Sequence, residues 1–276
     1  MSDKIIHERR RRLRGSVLSP SGQAMQRRSE AAHKPTYREL EAKLERSNAE
    51  FALFAYAAAH DLQEPLHKIV AFGEMLERRL SQSIDEQSRD YLTRMRKAAE
   101  RQHRLIDDLL RLARITTQSR PFEDVDTAAI VREATVDIEV RRAPLDGRVE
   151  IGKLPRLYAD PAQMRQLFQV LLDNAIKFRR LGAPAHVEVS GRELKDGLCE
   201  IVVKDSGIGF DEKYLDRIFK PFHRLHSAAE YDGTGIGLAI ADKIVARHEG
   251  TLTARSSPGS GASFVIRLPA GGKMGS

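Results

Sequence analysis

The sequence predicts an α plus α/β protein: a helical hairpin that pairs with a second copy to close a four-helix bundle, followed by a layer of helices on a β-sheet. Three observations predict it. From Tyr37 to Ala113 the apolar residues step by threes and fours, the spacing of helices that face a partner. The stretch "TTQSRPF", 116–122, then reads as a linker. Beyond it, short alternating apolar runs are interleaved with helical ones, so the second half mixes strands and helices.

Taken in order, residues 1–36 form a basic leader. Its first 34 residues hold nine Lys/Arg against three Asp/Glu, so nearly all of the net charge of +7 sits there. The run "RRRRLR" could bind nucleic acid or anionic lipid, but Gly, Ser and Pro follow it and no aromatic residue is near, so a solvated, disordered leader is expected and nucleic acid is not. Residues 37–58 read as a coiled-coil signalling helix with a seam of Leu40, Leu44, Ser47, Phe51, Phe54 and Ala58. The seam resumes at Leu62, Leu66, Ile69, Gly73, Leu76 and Leu80, with a local break in the heptad beside His60. At about 100° per residue His60 lies roughly 200° round from Ala58, facing solvent. A polar turn near 81–86 leads to a second helix with Leu92, Met95, Ala99, Gln102, Ile106, Leu109 and Ala113 on one side. A two-helix hairpin cannot bury such a stripe alone, so residues 59–116 are expected to form the dimerisation domain of a homodimer.

The α/β half, 122–270, opens with a helix near Thr127 and a strand at Val149–Ile151. Asp160-Pro161-Ala162-Gln163 reads as a capped helix start, the helix running to about Arg180. "HVEVSGREL" and "LCEIVVKD" flank Lys195-Asp196-Gly197 as a hairpin. A helix at Leu238–His248 and two strands around Pro258-Gly259 complete it, with 271–276 as a tail.

Composition bounds the function. A single cysteine, Cys199, excludes an internal disulfide and a cysteine metal cluster; its neighbours place it in a buried strand. The longest apolar run, Phe51–Ala59, is far below the roughly 20 residues of a membrane span, and no apolar signal core follows the basic residues, so a cytoplasmic protein is expected.

Three places carry chemistry. In the helix after Asp160, Asn174 and Lys177 lie on the side marked as core by Met164, Leu167, Leu171 and Phe178. A phosphorylated, metal-bound ligand would satisfy both, the amide oxygen ligating Mg²⁺ and the ammonium meeting phosphate; a solvated helix end would too. "VVKDSGIGF" fixes Asp205 at a strand end, with Gly207 and Gly209 letting backbone approach a flat ligand; Asp-Gly turns are also common for their own sake. "DGTGIGLAI" sets Gly233, Thr234, Gly235, Gly237 and Leu238 at a helix start, where N–H groups favour phosphate. It is not the dinucleotide fingerprint, since no parallel βαβ unit or distant ribose-binding acid follows it.

Together with "HDLQEPL" and "IFKPF", these stretches stand in one order along the chain. The chain resembles a two-component sensor histidine kinase: "HDLQEPL" looks like the H-box, "LLDNAIKF" the N-box, "DSGIG" the G1 box, "IFKPF" the F-box and "GTGIGLAI" the G2 box. The phrasing "FHRLHSAAEYDGTGIGLAI" is closest to the phytochrome-like branch. The resemblance implies that His60 accepts a phosphoryl group from ATP, with Asp61 orienting its ring, and passes it to an aspartate of a response-regulator receiver domain. It makes Asn174 the Mg²⁺ ligand, Lys177 a phosphate contact and Asp205 the reader of adenine, with Phe178, Gly207, Gly209, Gly233, Thr234, Gly235, Gly237 and Leu238 completing the ATP site. Phe219, Pro221 and Phe222 would pack a lid spanning Phe210–Gly237, and the catalytic half would be a Bergerat-type α/β sandwich.

Pro65, by removing one helical hydrogen bond a turn past His60, would let that helix bend. Two positions depart from the family pattern: Val170 stands where many members have a second asparagine, and Glu64 where phosphatase-active members have Thr or Asn. Val170 leaves open a non-catalytic scaffold that binds nucleotide weakly; Arg9–Arg14 leave open a nucleic-acid binder. About 36 residues precede the coiled coil, too few for a sensor domain, so the input is expected from a separate sensor protein or from a longer chain of which this is a piece.

Overall fold

The computed structural model describes residues 36–80, 83–117, 120–141, 147–227 and 230–270; the basic leader up to residue 35 and the tail at 271–276 lie outside them. Two units divide after Ser47. Among its described residues the first holds the opening turns of helix α1 (Tyr37–Arg79), which starts on a reciprocal cap: Thr36 N–H donates to Glu39 at 2.8 Å and Glu39 N–H to the Thr36 hydroxyl at 3.3 Å.

The second unit, Asn48 onward, holds the rest. Helix α1 is continuous through Pro65, and helix α2 (Glu86–Thr117) returns beside it. Cross-helix contacts set their register: Tyr56 lies against the Arg114 guanidinium at 5.8 Å, Gln63 donates to Asp107 at 2.7 Å, the His67 and His103 rings are 4.5 Å apart, and Arg96 donates to Glu77 at 2.8 Å. Ala55, Ala59, Ala99 and Ala113 are buried, small residues that allow close approach, and Leu110 is buried with them. Seam residues Leu62, Ile69, Leu76 and Leu80 stay exposed, together with Phe72 and Met95.

The α/β half follows as β1 (Glu123–Val125), α3 (Thr127–Arg141), β2 (Gly147–Ile151), β3 (Leu157–Ala159), α4 (Pro161–Lys177), β4 (Ala185–Glu193) and β5 (Leu198–Asp205). A 3-10 turn (Glu212–Tyr214), the one-turn α5 (Leu215–Ile218), α6 (Gly237–Arg247), β6 (Thr251–Ser256) and β7 (Ala262–Pro269) complete it. The five-stranded sheet has the order β2-β4-β5-β7-β6, and β1 pairs with β3 separately. Strands β4 and β5 form the expected hairpin, with Gly197 at φ 77° and Asp196 accepting the Leu198 N–H at 3.3 Å. Strands β6 and β7 pair antiparallel as expected, Thr253 opposite Val265.

One strand departs from the antiparallel pairing of the others. Strand β2 pairs in parallel with β4, Val149 opposite Val187, so the chain does contain a parallel crossover, and its helix is α4. The glycine-rich loop lies outside this crossover, ahead of α6, which is why the dinucleotide fingerprint is still absent. Strands β1 and β3 have three residues each and show no period from which they could have been read.

The core lies between the sheet and α3, α4 and α6. Residues Ile130, Val131, Ala134 and Ile138 of α3 pack with Met164, Leu167, Phe168, Leu171 and Leu172 of α4, on Val187, Val189, Ile201 and Ile266 of the sheet. Met164, Leu167 and Leu171 have no exposed surface, and truncating one such residue costs about 2–5 kcal/mol. The α4 start departs from the expected capping box. Asp160 caps it, accepting from Ala162 and Gln163 N–H, but the Gln163 side chain turns away to donate to the Ile115 carbonyl at 2.8 Å, and Asp160 N–H is taken instead by His248 Nε2 at 3.1 Å. The glutamine ties the end of α2 to the α/β half, which a local motif could not reveal.

Candidate functional site

The site starts from the ends of α4, β5 and α6. Helix α4 is anchored by its apolar face, its last turn carries Asn174 and Lys177 to the cavity that Asp205 at the end of β5 also lines, and Phe178 follows as the C-cap. The Phe178 carbonyl accepts the Ile208 N–H at 2.9 Å, which ties this helix end to the loop after β5.

Asp205, the last residue of β5, is buried. Its Oδ1 accepts the Gly207 N–H at 2.8 Å and the Ala262 N–H at 3.2 Å. Burial pushes its pKa up from 3.8, and the two backbone donors pull the other way. The loop around it needs glycine: a Cβ at Gly207 would strike the Phe178 carbonyl, and Gly209, at φ 62°, would strike the Ser257 carbonyl. Arg180 ties this loop to the turn between β6 and β7, donating to the Gly207 carbonyl at 3.4 Å and to the Gly259 carbonyl at 2.6 Å.

These groups converge. Asn174, Lys177, Phe178, Asp205, Gly209, Gly233, Thr234, Gly235, Gly237 and Leu238 all line one cavity of about 1060 Å³. Gly207 stands behind it, serving the Asp205 carboxylate. The ammonium of Lys177 lies 4.5 Å from the Phe178 ring centre, and any side chain at Gly233 would press on it. Val170, at the departure from the family pattern, also lines the cavity, its methyl 3.3 Å from where a Cβ on Gly237 would stand.

The segment between Phe210 and Gly237 corrects one expectation and adds residues the sequence reading missed. Phe219 packs on the core as expected, but Pro221 and Phe222 are exposed, Phe222 at φ 65°, because the chain reverses there. Arg224 collects three main-chain carbonyls, those of Gly233 (2.6 Å), Ser227 (3.2 Å) and Tyr231. His226 and Tyr231 line the cavity beside Phe178. The run "HRLHSAAEYDG" just before the glycines was the available signal.

Helix α2 supplies a further wall, through Arg104, Asp107, Asp108 and Arg111. Arg104 pairs with Asp232, whose pKa falls chiefly through that bond, and the Thr234 hydroxyl donates to Asp108 at 2.6 Å. Nothing in the α2 sequence announces this, because docking alone creates it.

His60 stands elsewhere, on α1, with 72% of its side chain exposed and its Nδ1 3.4 Å from Asp61 Oδ1. It is not among the cavity-lining residues.

The donor set fits a nucleoside triphosphate with its cation: a buried carboxylate for a base amine, an amide oxygen and an ammonium for metal and phosphate, and glycine backbones where side chains would collide. Residues 52–118 match the family described as the His Kinase A (phospho-acceptor) domain. Residues 159–272 match the histidine kinase-, DNA gyrase B- and HSP90-like ATPases. The chain is 37% identical over 233 residues to phytochrome-like protein Cph1 of Synechocystis, covering 84% of this chain and 31% of that protein. This chain belongs to the two-component sensor histidine kinases.

Within that family it falls in the phytochrome-like branch. Cyanobacterial phytochrome A of Nostoc is 38% identical over 230 residues, covering 83% of this chain and 30% of that protein. Sensor histidine kinase RcsC of Escherichia coli K12 is 28% identical, covering 84% of this chain and 24% of that protein. The chain thus spans under a third of the length of these kinase relatives. Among solved structures, full-length ShkA in complex with AMPPNP shares the fold, with a TM-score of 0.57 and 24% identity over 78% of this chain and 45% of that one. No described helix is long and apolar enough to cross a membrane.

Proposed function

We propose that the chain is an ATP-dependent protein histidine kinase that phosphorylates His60 and passes the phosphoryl group to an aspartate on a response-regulator receiver domain. The observation that carries this is the convergence of Asn174, Lys177 and Asp205 with Gly209, Gly233, Gly235 and Gly237 on one cavity.

Residues 59–116 would dimerise and carry the phosphoryl group, and residues 122–270 would bind ATP. Asp205 would accept a hydrogen bond from the adenine amine, while Lys177 and the N–H groups at the start of α6 would meet the phosphates. A Mg²⁺ ion held by the Asn174 oxygen would neutralise phosphate charge when bound. The Asp61 carboxylate can only accept, so it favours the tautomer with hydrogen on Nδ1 and leaves the Nε2 lone pair as nucleophile. Nε2 attacks the γ-phosphorus, an N–P bond forms as the O–P bond to ADP breaks, and Asp61 stabilises the positive ring. Exposure of His60 suits both the approach of the ATP site and the later approach of a receiver domain. The uncovered Leu62, Ile69, Phe72 and Leu76 support a homodimer, and phytochrome relatives favour input from a sensor, in the cytoplasm where ATP is available.

Incubation with γ-labelled ATP and Mg²⁺ tests the reading. Acid-labile label on the parent, absent from His60→Gln and transferable to a receiver domain, is the expected result. Nucleotide binding without any label would instead favour the scaffold reading that Val170 raises.

A further inference from the structure

One side of the cavity joins a residue of the N-box to two residues that no nucleotide-binding box includes. Phe178, His226 and Tyr231 form a closed triangle of rings. Phe178 and Tyr231 have centroids 5.0 Å apart, Phe178 and His226 5.8 Å, and His226 and Tyr231 5.2 Å, all in tilted arrangements between 40° and 57°. Such separations and tilts fall in the attractive range for aromatic pairs. All three residues line the cavity. Phe178 belongs to the rigid scaffold: it caps α4, and its carbonyl holds Ile208 in the loop that carries Asp205. His226 and Tyr231 belong to the lid. The Arg224 guanidinium gathers the carbonyls of Ser227, Tyr231 and Gly233, which shapes the backbone from which Tyr231 reaches Phe178. The same shape sets Gly233 against the Lys177 ammonium, itself 4.5 Å from the other ring partner, Phe178.

From this we infer that His226 and Tyr231 are positioning residues, an aromatic clasp that sets the lid on Phe178 before nucleotide arrives. The inference rests on the proposed nucleotide site and adds a role to two residues outside its boxes. Its physical content is preorganisation. A lid already seated need not be ordered by the ligand, and apparent affinity falls in proportion to the fraction of molecules in which it is seated. Each ring makes two of the three contacts, but Tyr231 lies nearer the Phe178 scaffold than His226 does, 5.0 Å against 5.8 Å, so its loss should weaken the clasp most. The tyrosine hydroxyl is not part of the argument; the ring is.

Two measurements on the full chain test it. In the absence of nucleotide, trypsin cutting after Arg224, located by mass spectrometry, reports lid opening. Tyr231→Ala is expected to speed that cut about tenfold, the scale set by losing two ring pairs, with cuts elsewhere unchanged. Equilibrium binding of a non-hydrolysable ATP analogue is expected to weaken by a similar factor. Label transfer at saturating ATP is expected to stay near that of the parent, so the loss appears in KM rather than kcat. Tyr231→Phe should restore both readouts, and His226→Ala should show a smaller change of the same sign. Parent-like cleavage and binding in Tyr231→Ala, or failure of Tyr231→Phe to restore them, would overturn the clasp. Should the parent itself bind no analogue, the proposed nucleotide site fails, while the cleavage arm still decides whether the rings hold the lid.

Discussion

Replacing Asp205 separates its structural duty from its proposed reading of the base. Both backbone donors, Gly207 N–H at 2.8 Å and Ala262 N–H at 3.2 Å, fall on Oδ1. Alanine would leave two buried N–H groups unpaired, at about 1–3 kcal/mol each, so Asp205→Ala is expected to lower stability by about 2–6 kcal/mol. Asparagine keeps Oδ1 in place and removes a charge that burial already disfavours, so its stability should stay within about 1 kcal/mol of the parent. Because Oδ1 is claimed by the backbone, the amide nitrogen must take the Oδ2 position, where an adenine amine would meet a donor instead of an acceptor. The whole charged hydrogen bond is then lost, about 1.5–3 kcal/mol, or roughly 10- to 150-fold in affinity. Calorimetric titration with a non-hydrolysable ATP analogue, paired with thermal unfolding, measures both effects. An inosine triphosphate, which offers an acceptor at that position, should recover part of the loss. The pH dependence follows from the raised pKa: the ionised acid is the acceptor, so affinity should fall as pH drops through a value above 3.8, and the asparagine variant should lack that step. Asparagine binding within threefold of the parent, at unchanged stability, would refute the assignment of Asp205.

Three further outcomes can be checked. His248 is buried with both ring nitrogens engaged, Nδ1 with the Ile244 carbonyl at 2.8 Å and Nε2 with Asp160 N–H, and burial lowers its pKa from 6.5. Its unfolded form binds the proton better, so its contribution is fully present above about pH 6.5 and lost as pH falls through the folded pKa; denaturant midpoints should decline on acidification, less so in His248→Gln. Gly209→Ala forces a side chain into a left-handed backbone against the Ser257 carbonyl, and should lose about 1–2 kcal/mol or more of stability together with analogue binding, read by thermal shift and titration. The Arg104–Asp232 pair is half exposed, so a double-mutant cycle in thermal unfolding should give a coupling of only about 0.2–1 kcal/mol, shrinking in molar salt.

Much of the site was legible in local sequence because its pieces are local devices. A strand ending in Asp205-Ser206-Gly207 and a glycine run ahead of α6 announce themselves, since glycine adopts φ 62° at Gly209 or 77° at Gly235 without the steric cost that a side chain carries there. The exposure of His60 also followed from its angle to the seam. What misled were features decided by distant partners. The Gln163 side chain abandons its own cap for the Ile115 carbonyl, and β2 joins the sheet in parallel because α4 carries the chain back across it. The resemblance implied that Phe222 packs the lid, yet the reversal at Pro221 turns it to solvent.

The sequence by itself determined the helical seams, the strand hairpins and the ordered glycine and acid motifs, because periodicity and backbone permissiveness act within a few residues. Tertiary structure alone decided that α2 would wall the cavity through Arg104 and Asp108, that Asp160 would answer to His248, and that rings from the lid would meet at Phe178. Those contacts join residues 48 to 128 positions apart, and the burial of the shared core brings such positions within bonding distance.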